Sequence, residues 1–240
     1  MKMIDTSMIH YRFLARWVFP MSKVKTIISK LDEFYGVKHW KRWREPVGEL
    51  VRTILSQNTT DKNSLRAYAN LIDAFKTWDE ILDADEAEIA EPIRSGGLAN
   101  IKAKKIKKSL MEIKKREGKI DLEFLADYKP DDAEEYLVSL DGVGPKTAAC
   151  VLIFSFNFPI MPVDTHVHRL SNRIGLVTTK TPEKTQEAMK LIIPEENIYS
   201  FHLNIIEHGR KVCKASRPLC SECFLTDFCD YFQENVKKAS

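Results

Sequence analysis

The chain has 240 residues, 44% hydrophobic and 30% charged, with a formal net charge of +3, the make-up of an ordinary globular protein. No stretch approaches the roughly 18 apolar residues of a membrane span, and Met1–Met21, broken by Asp5, Arg12 and Arg16, lacks the apolar core and cleavage site of a secretion signal. The expected compartment is therefore reducing and intracellular, cytoplasmic and in a prokaryote nucleoid-associated, and the length allows one large core or two small ones.

Helical periodicity then dominates along the chain. Val24, Ile27, Ile28, Leu31 and Phe34 mark one apolar face, with Gly36 where a C-terminal cap belongs. Val47, Leu50, Val51, Ile54 and Leu55 repeat the pattern after Pro46. Leu65, Tyr68, Ile72 and Phe75 predict a third helix, and Ile101, Ile106, Leu110 and Ile113 a fourth. That fourth segment is basic, with Lys102, Lys104, Lys105, Lys107, Lys108, Lys114, Lys115, Arg116 and Lys119 against Glu112 and Glu117. A second basic group comprises Arg210, Lys211, Lys214 and Arg217, while acidic residues gather in 79–91 and 131–135. Such segregation suits a face that meets a phosphate backbone, although a lysine-rich helix alone is more often a solvated surface. The apolar run Cys150–Phe156 continues from a helix start at Pro145, so it predicts helix rather than buried strand, with Cys150 a small core residue. Thr181-Pro182-Glu183 opens a further helix that Pro194 closes. With no alternating strand pattern, the expected fold class is all-α.

Two motifs carry chemistry. Leu140-Asp141-Gly142-Val143-Gly144-Pro145-Lys146-Thr147-Ala148-Ala149 lies between helical segments. Gly142 and Gly144 permit a tight hairpin with positive φ, Pro145 suits a first helical position, and the exposed amides form a phosphate site. Further on, Cys213, Cys220, Cys223 and Cys229 form a C-x6-C-x2-C-x5-C array. In a reducing compartment clustered cysteines hold metal; four thiolates suit either zinc or a 4Fe-4S cluster, and spacing alone leaves both open.

The hairpin run resembles the helix-hairpin-helix of the DNA base-excision glycosylases (HhH-GPD superfamily), nearest to the endonuclease III type. The likeness continues through Pro162-Val163-Asp164-Thr165-His166 and His208-Gly209-Arg210 into the cysteines. It implies a six-helix barrel domain over 48–158, with the hairpin near 137–157. It also implies a 4Fe-4S helical domain formed by 22–47 with 159–234, between an N-terminal extension 1–21 and a tail 235–240. The cluster would sit on the four cysteines in a structural role and present Lys214 and Arg217 to double-stranded DNA. The protein is expected to act as a monomer.

In such enzymes a lysine at 146 would attack the sugar as a Schiff-base nucleophile, and Asp164 would act as its electrostatic and proton-transfer partner. Both readings have local chemistry behind them. A first-turn lysine is repelled by the helix dipole, which favours the neutral amine, as would partial burial. Asp164 also fits the N-cap of the helix carrying Val167, Leu170 and Ile174. The resemblance further implies that Gln57 or Asn58 fills the gap left by an extruded base, with Leu98 of Gly96-Gly97-Leu98 as the apolar wedge. Arg52-Thr53-Ile54 lacks the glutamate of the adenine-specific relatives. The expected activity is removal of oxidised pyrimidines followed by nicking of the abasic site. The alternatives are a mismatch glycosylase releasing uracil or thymine opposite guanine, and a non-enzymatic iron–sulfur redox sensor that binds DNA. The acidic stretch 120–140, longer than in bacterial relatives, is expected to reshape the lesion pocket.

Overall fold

The computed structural model describes residues 6–237, with side chains from Met21 onward. Among these residues there is no strand, as the sequence predicts. The helices are α1 (Thr6–Tyr35), α2 (Pro46–Ser56), α3 (Asp61–Ala74), α4 (Trp78–Asp83), α5 (Glu86–Ala90), α6 (Ala99–Glu117), α7 (Pro130–Val138), α8 (Pro145–Phe156), α9 (Thr165–Ile174), α10 (Pro182–Lys190) and α11 (Ile198–Lys211). The segment 1–5 of the N-terminal extension and the tail's 238–240 lie outside the described residues; from Thr6 the extension is the first part of α1. No helix is long and apolar enough to cross a membrane among the described residues.

The chain folds as two compact units. One is Trp40–Pro162; the other takes the chain up to His39 and from Val163 onward. In the first unit, α2 runs between α3 and α8 and buries Val47, Leu50, Val51, Ile54 and Leu55. These meet Leu71, Ile81, Ile93, Ile106, Leu110, Ile113, Leu137, Val151 and Leu152 in one core. Glu45 caps α2 by accepting from the Val47 and Gly48 amides at 2.7 and 2.6 Å, and from Trp78 Nε1 at 3.1 Å. Burial raises the pKa of its carboxyl, only partly offset by those donors. In the second unit, α11 packs against α1 and α9, burying Val24, Ile27, Ile28 and Leu31 with Leu170, Ile174, Phe201 and Ile205. Ser200 Oγ and Asn204 Nδ2 both donate to Asp32 Oδ1, at 2.6 and 2.9 Å, pinning the end of α1 to α11.

Three predicted faces are corrected. Phe34 is 60% exposed and stacks on Phe224 at 4.4 Å between centroids instead of joining the core. On α3 the buried residues are Ser64, Ala67 and Leu71, while Leu65 and Ile72 are exposed. The helix turns its small residues inward because it packs close to α2 and to the turn at Gly96, where an added Cβ would lie 3.1 Å from Ala67 Cβ. On α6, Ile101 is exposed and Lys102 takes the inward position beside Ala103 and Ile106.

Candidate functional site

The hairpin forms between α7 and α8 as predicted, with Pro145 in the first turn of α8. Gly142 has φ +83, a conformation that L side chains rarely adopt. Gly144 does not share it: with φ −91 and ψ 170 it is extended, and an added Cβ there would meet nothing within 4 Å. Among the described residues the amides of Gly142, Gly144 and Lys146 donate to no backbone acceptor, whereas Val143 and Thr147 are engaged with Leu140 and Gly144 carbonyls. Outward amides at a helix N-terminus make an anion site. Lys146 follows directly. It is exposed rather than partly buried as the sequence suggested, and no hydrogen bond or ion pair engages it among the described residues.

Two further turns of the same unit share an uncommon backbone. Asn58 and Leu98 both adopt left-handed φ of 53, and both are exposed. A non-glycine residue there is strained by about 1 kcal/mol or more. Gln57 differs: it caps α2, is half-buried, and its Oε1 accepts from Lys105 Nζ at 3.1 Å. Behind these turns Lys102, 1% exposed, donates through Nζ to Leu55 O at 2.7 Å and Gly96 O at 2.8 Å. Its membership of the basic surface is thus corrected. The missed signal was register, because Lys102 stands one turn before Ile106 on the buried stripe.

The rest of the basic segment is also largely engaged. Lys107 Nζ donates to Ala84 O, and Lys108, Lys114, Arg116 and Lys119 pair with Asp141, Asp79, Glu112 and Asp121.

In the other unit Asp164 is the N-cap of α9. Its Oδ1 accepts from both the His166 and Val167 amides at 2.8 Å, and no hydrogen bond to Oδ2 occurs among the described residues. Gly209 of α11 lets this helix start press close, since a Cβ there would fall 2.8 Å from His166 Nδ1. From the same helix Arg169 Nη2 donates to Gly209 O at 3.1 Å and to Cys213 O at 2.9 Å. Arg173 grips the following residues, Nη1 to Lys214 O and Nη2 to Ala215 O, each at 2.7 Å, with its guanidinium 4.8 Å from the Tyr231 ring centroid. Sequence reasoning missed both arginines; their spacing of four on one helix was the available signal.

The loop so held carries the cysteine array. Among the described residues no group of three or more His, Cys, Asp or Glu is set for a single metal ion. Cys213, Cys220, Cys223 and Cys229 instead line one small cleft with Leu219, Tyr231 and others. All four are free thiols. Burial pushes Cys223 up to about 11 and raises Cys220 and Cys229. Polar groups already point at the sulfurs: Leu225 N at 3.4 Å from Cys223 Sγ, His208 Nε2 at 3.4 Å from the same atom, and Arg173 Nη1 at 3.5 Å from Cys213 Sγ. Four soft donors around one cleft, with such support, fit an iron–sulfur cluster. Cys150 is buried in α8, away from this loop in sequence and in a different unit. Lys214 and Arg217 lie exposed on the loop.

Residues 51–195 match the HhH-GPD superfamily base excision DNA repair proteins, and 213–229 match the iron–sulfur binding domain of endonuclease III. The chain belongs to that superfamily. Among its relatives, endonuclease III of Thermotoga maritima is 38% identical over 80% of this chain and 86% of its own length. Endonuclease III of Sulfolobus acidocaldarius is 34% identical over 87% and 93%. A solved non-covalent endonuclease III–DNA complex aligns with a TM-score of 0.77 at 26% identity, covering 90% of this chain and 98% of the other. The expected all-α HhH-GPD fold and the 4Fe-4S cofactor are both supported by these likenesses.

Proposed function

We propose that this base-excision repair enzyme removes oxidised pyrimidines from double-stranded DNA and then nicks the abasic site, with Lys146 as the attacking amine. The observation that carries the lyase reading is Lys146 itself, exposed and unengaged in the first turn of α8 beside outward hairpin amides. Those amides, of Gly142 and Gly144, would hold a backbone phosphate and so fix the strand relative to the amine.

The Lys146 amine attacks C1′ of the damaged nucleotide through its nitrogen lone pair and the base departs with the bonding electrons of the glycosidic bond. Opening of the sugar ring leaves an imine between Lys146 and C1′. Loss of a C2′ proton then expels the 3′ phosphate, which is the nick. Cationic character grows on the sugar as the base leaves, and Asp164 supplies the opposing carboxylate. Its division supports this role: Oδ1 is occupied by the helix cap while Oδ2 remains available to charge and to a proton.

For base extrusion, Leu98 is the wedge and Asn58 the gap-filling residue. The exposure and left-handed backbone of Asn58, against the tethered side chain of Gln57, favour Asn58 over its neighbour. Cys213, Cys220, Cys223 and Cys229 would hold the cluster, which when bound supplies a structural cross-link for the loop that offers Lys214 and Arg217 to phosphates. The enzyme acts as a monomer in the cytoplasm, and on the nucleoid where the cell is prokaryotic.

Borohydride trapping on an abasic duplex tests the chemistry. Wild type should form a covalent adduct, Lys146→Ala none, and Asp164→Asn should bind DNA yet release bases at least about a hundredfold more slowly. An adduct with Lys146→Ala would remove Lys146 from the reaction. Release of uracil or thymine opposite guanine, with inert oxidised pyrimidines, would replace the substrate assignment by the mismatch alternative.

A further inference from the structure

The end of α2 and the turn before α6 come from separate parts of the chain, yet one ammonium joins them. Leu55 lies in the last turn of α2, where carbonyls have no partner four residues on. Lys102 Nζ satisfies that carbonyl and the carbonyl of Gly96 together, at 2.7 and 2.8 Å. Its backbone amide donates to Leu98 O at 3.0 Å, closing the first turn of α6 on the exposed leucine. Burial, and then the nearby Lys105 charge, lower the pKa of this amine, so the fold keeps a polar group at some cost where an apolar side chain would be easier to place.

Both ends of the tether lead to strained residues. Asn58 follows Leu55 by three positions, and Leu98 follows Gly96 by two; each is left-handed and exposed. Gly96 completes the arrangement, because a Cβ there would come within 3.1 Å of Ala67 Cβ and 3.8 Å of Leu55 O. The two turns are thus held at one spacing from behind, with their tips outward. A flexible pair of tips would pay ordering entropy on entering a duplex, whereas a fixed pair would not.

We propose that Lys102 is a positioning residue that sets the spacing of the two duplex-inserting turns; this rests on Asn58 and Leu98 being the inserting residues. Lys102 touches neither DNA nor the reacting sugar. It acts by holding Asn58 and Leu98 in register so that extrusion of the base and filling of its gap occur together.

The test compares the full-length holoenzyme with Lys102→Met, Leu98→Ala, Asn58→Ala and the Lys102→Met/Leu98→Ala double variant. Substrates are a lesion in a fully paired duplex and an abasic site in an unpaired loop. Lys102→Met should lower kcat on the paired lesion about tenfold and change nicking of the unpaired site less than about twofold. The double variant should be no slower than Leu98→Ala, since the two changes disable one step. Equal loss on both substrates would mark general damage and overturn the proposal. So would wild-type rates for Lys102→Met beside a slow Leu98→Ala, a result that leaves the wedge assignment standing. Wild-type rates for both Leu98→Ala and Asn58→Ala would instead remove the wedge assignment, and this proposal with it. If Lys102→Met does not fold, Gly96→Ala shifts the same turn with the lysine intact. It should show the same selective loss, and its absence would overturn the proposal.

Discussion

Helix α6 and the loop that follows α11 both read as basic, but they dispose of their charge differently. In and just after α6, Lys102 is buried on two carbonyls, Lys105 and Lys107 bind Gln57 and Ala84, and four other cations face carboxylates. On the loop, cations from elsewhere, Arg169 and Arg173, are used up on backbone carbonyls, and this leaves Lys214 and Arg217 at the surface. Cations already paired with protein acids release fewer counterions from a duplex than free ones do. A run of lysines in sequence therefore overstates the DNA-binding face, and a sparse pair on a braced loop understates it.

That contrast can be broken by substitution. Arg173→Met should have the largest effect, because it unties Lys214 and Ala215 from α9; duplex affinity should fall about tenfold with the trapping reaction on Lys146 still present. Unchanged affinity in a fluorescence anisotropy titration would show that the loop needs no brace. Lys214→Gln with Arg217→Gln should weaken binding several-fold and reduce the slope of log affinity against log salt by about two, one per lost phosphate contact. A slope equal to wild type would mean that neither meets the backbone. Lys114→Gln, on the paired helix, should alter affinity by less than about twofold in the same titration. A drop as large as that of the loop pair would erase the distinction between the two regions.

What the sequence disclosed follows from the kind of force involved. The face of α2 was legible because large apolar residues recur at helical spacing and are in fact buried, and α8 was legible as a helix because its apolar run continues from Pro145. The buried face of α3 was not, since beside Leu71 it is built from Ser64 and Ala67, whose value lies in allowing close approach rather than in hydrophobicity. Gly142-Val143-Gly144-Pro145 announced a turn, but not that only the first glycine needs positive φ. The cysteine array was plain from spacing, whereas its supports Arg169 and Arg173 were hidden, as was Lys102 in the other unit: all three bind carbonyl oxygens, which every residue has and no sequence pattern marks. His208, its pKa lowered to about 4 by burial, belongs to the same group of silent supports.

Leu98 also bears on any effort to make the protein more heat-resistant. A search for stabilising substitutions would single out this position, because glycine relieves a left-handed backbone and Gly97 beside it shows how readily the chain accepts one. Thermal screening would rank the change favourably while discarding the side chain assigned to part the duplex. A leucine kept in this conformation is thus a place where the melting temperature and repair capacity pull in opposite directions, and selection on the first alone would erode the second.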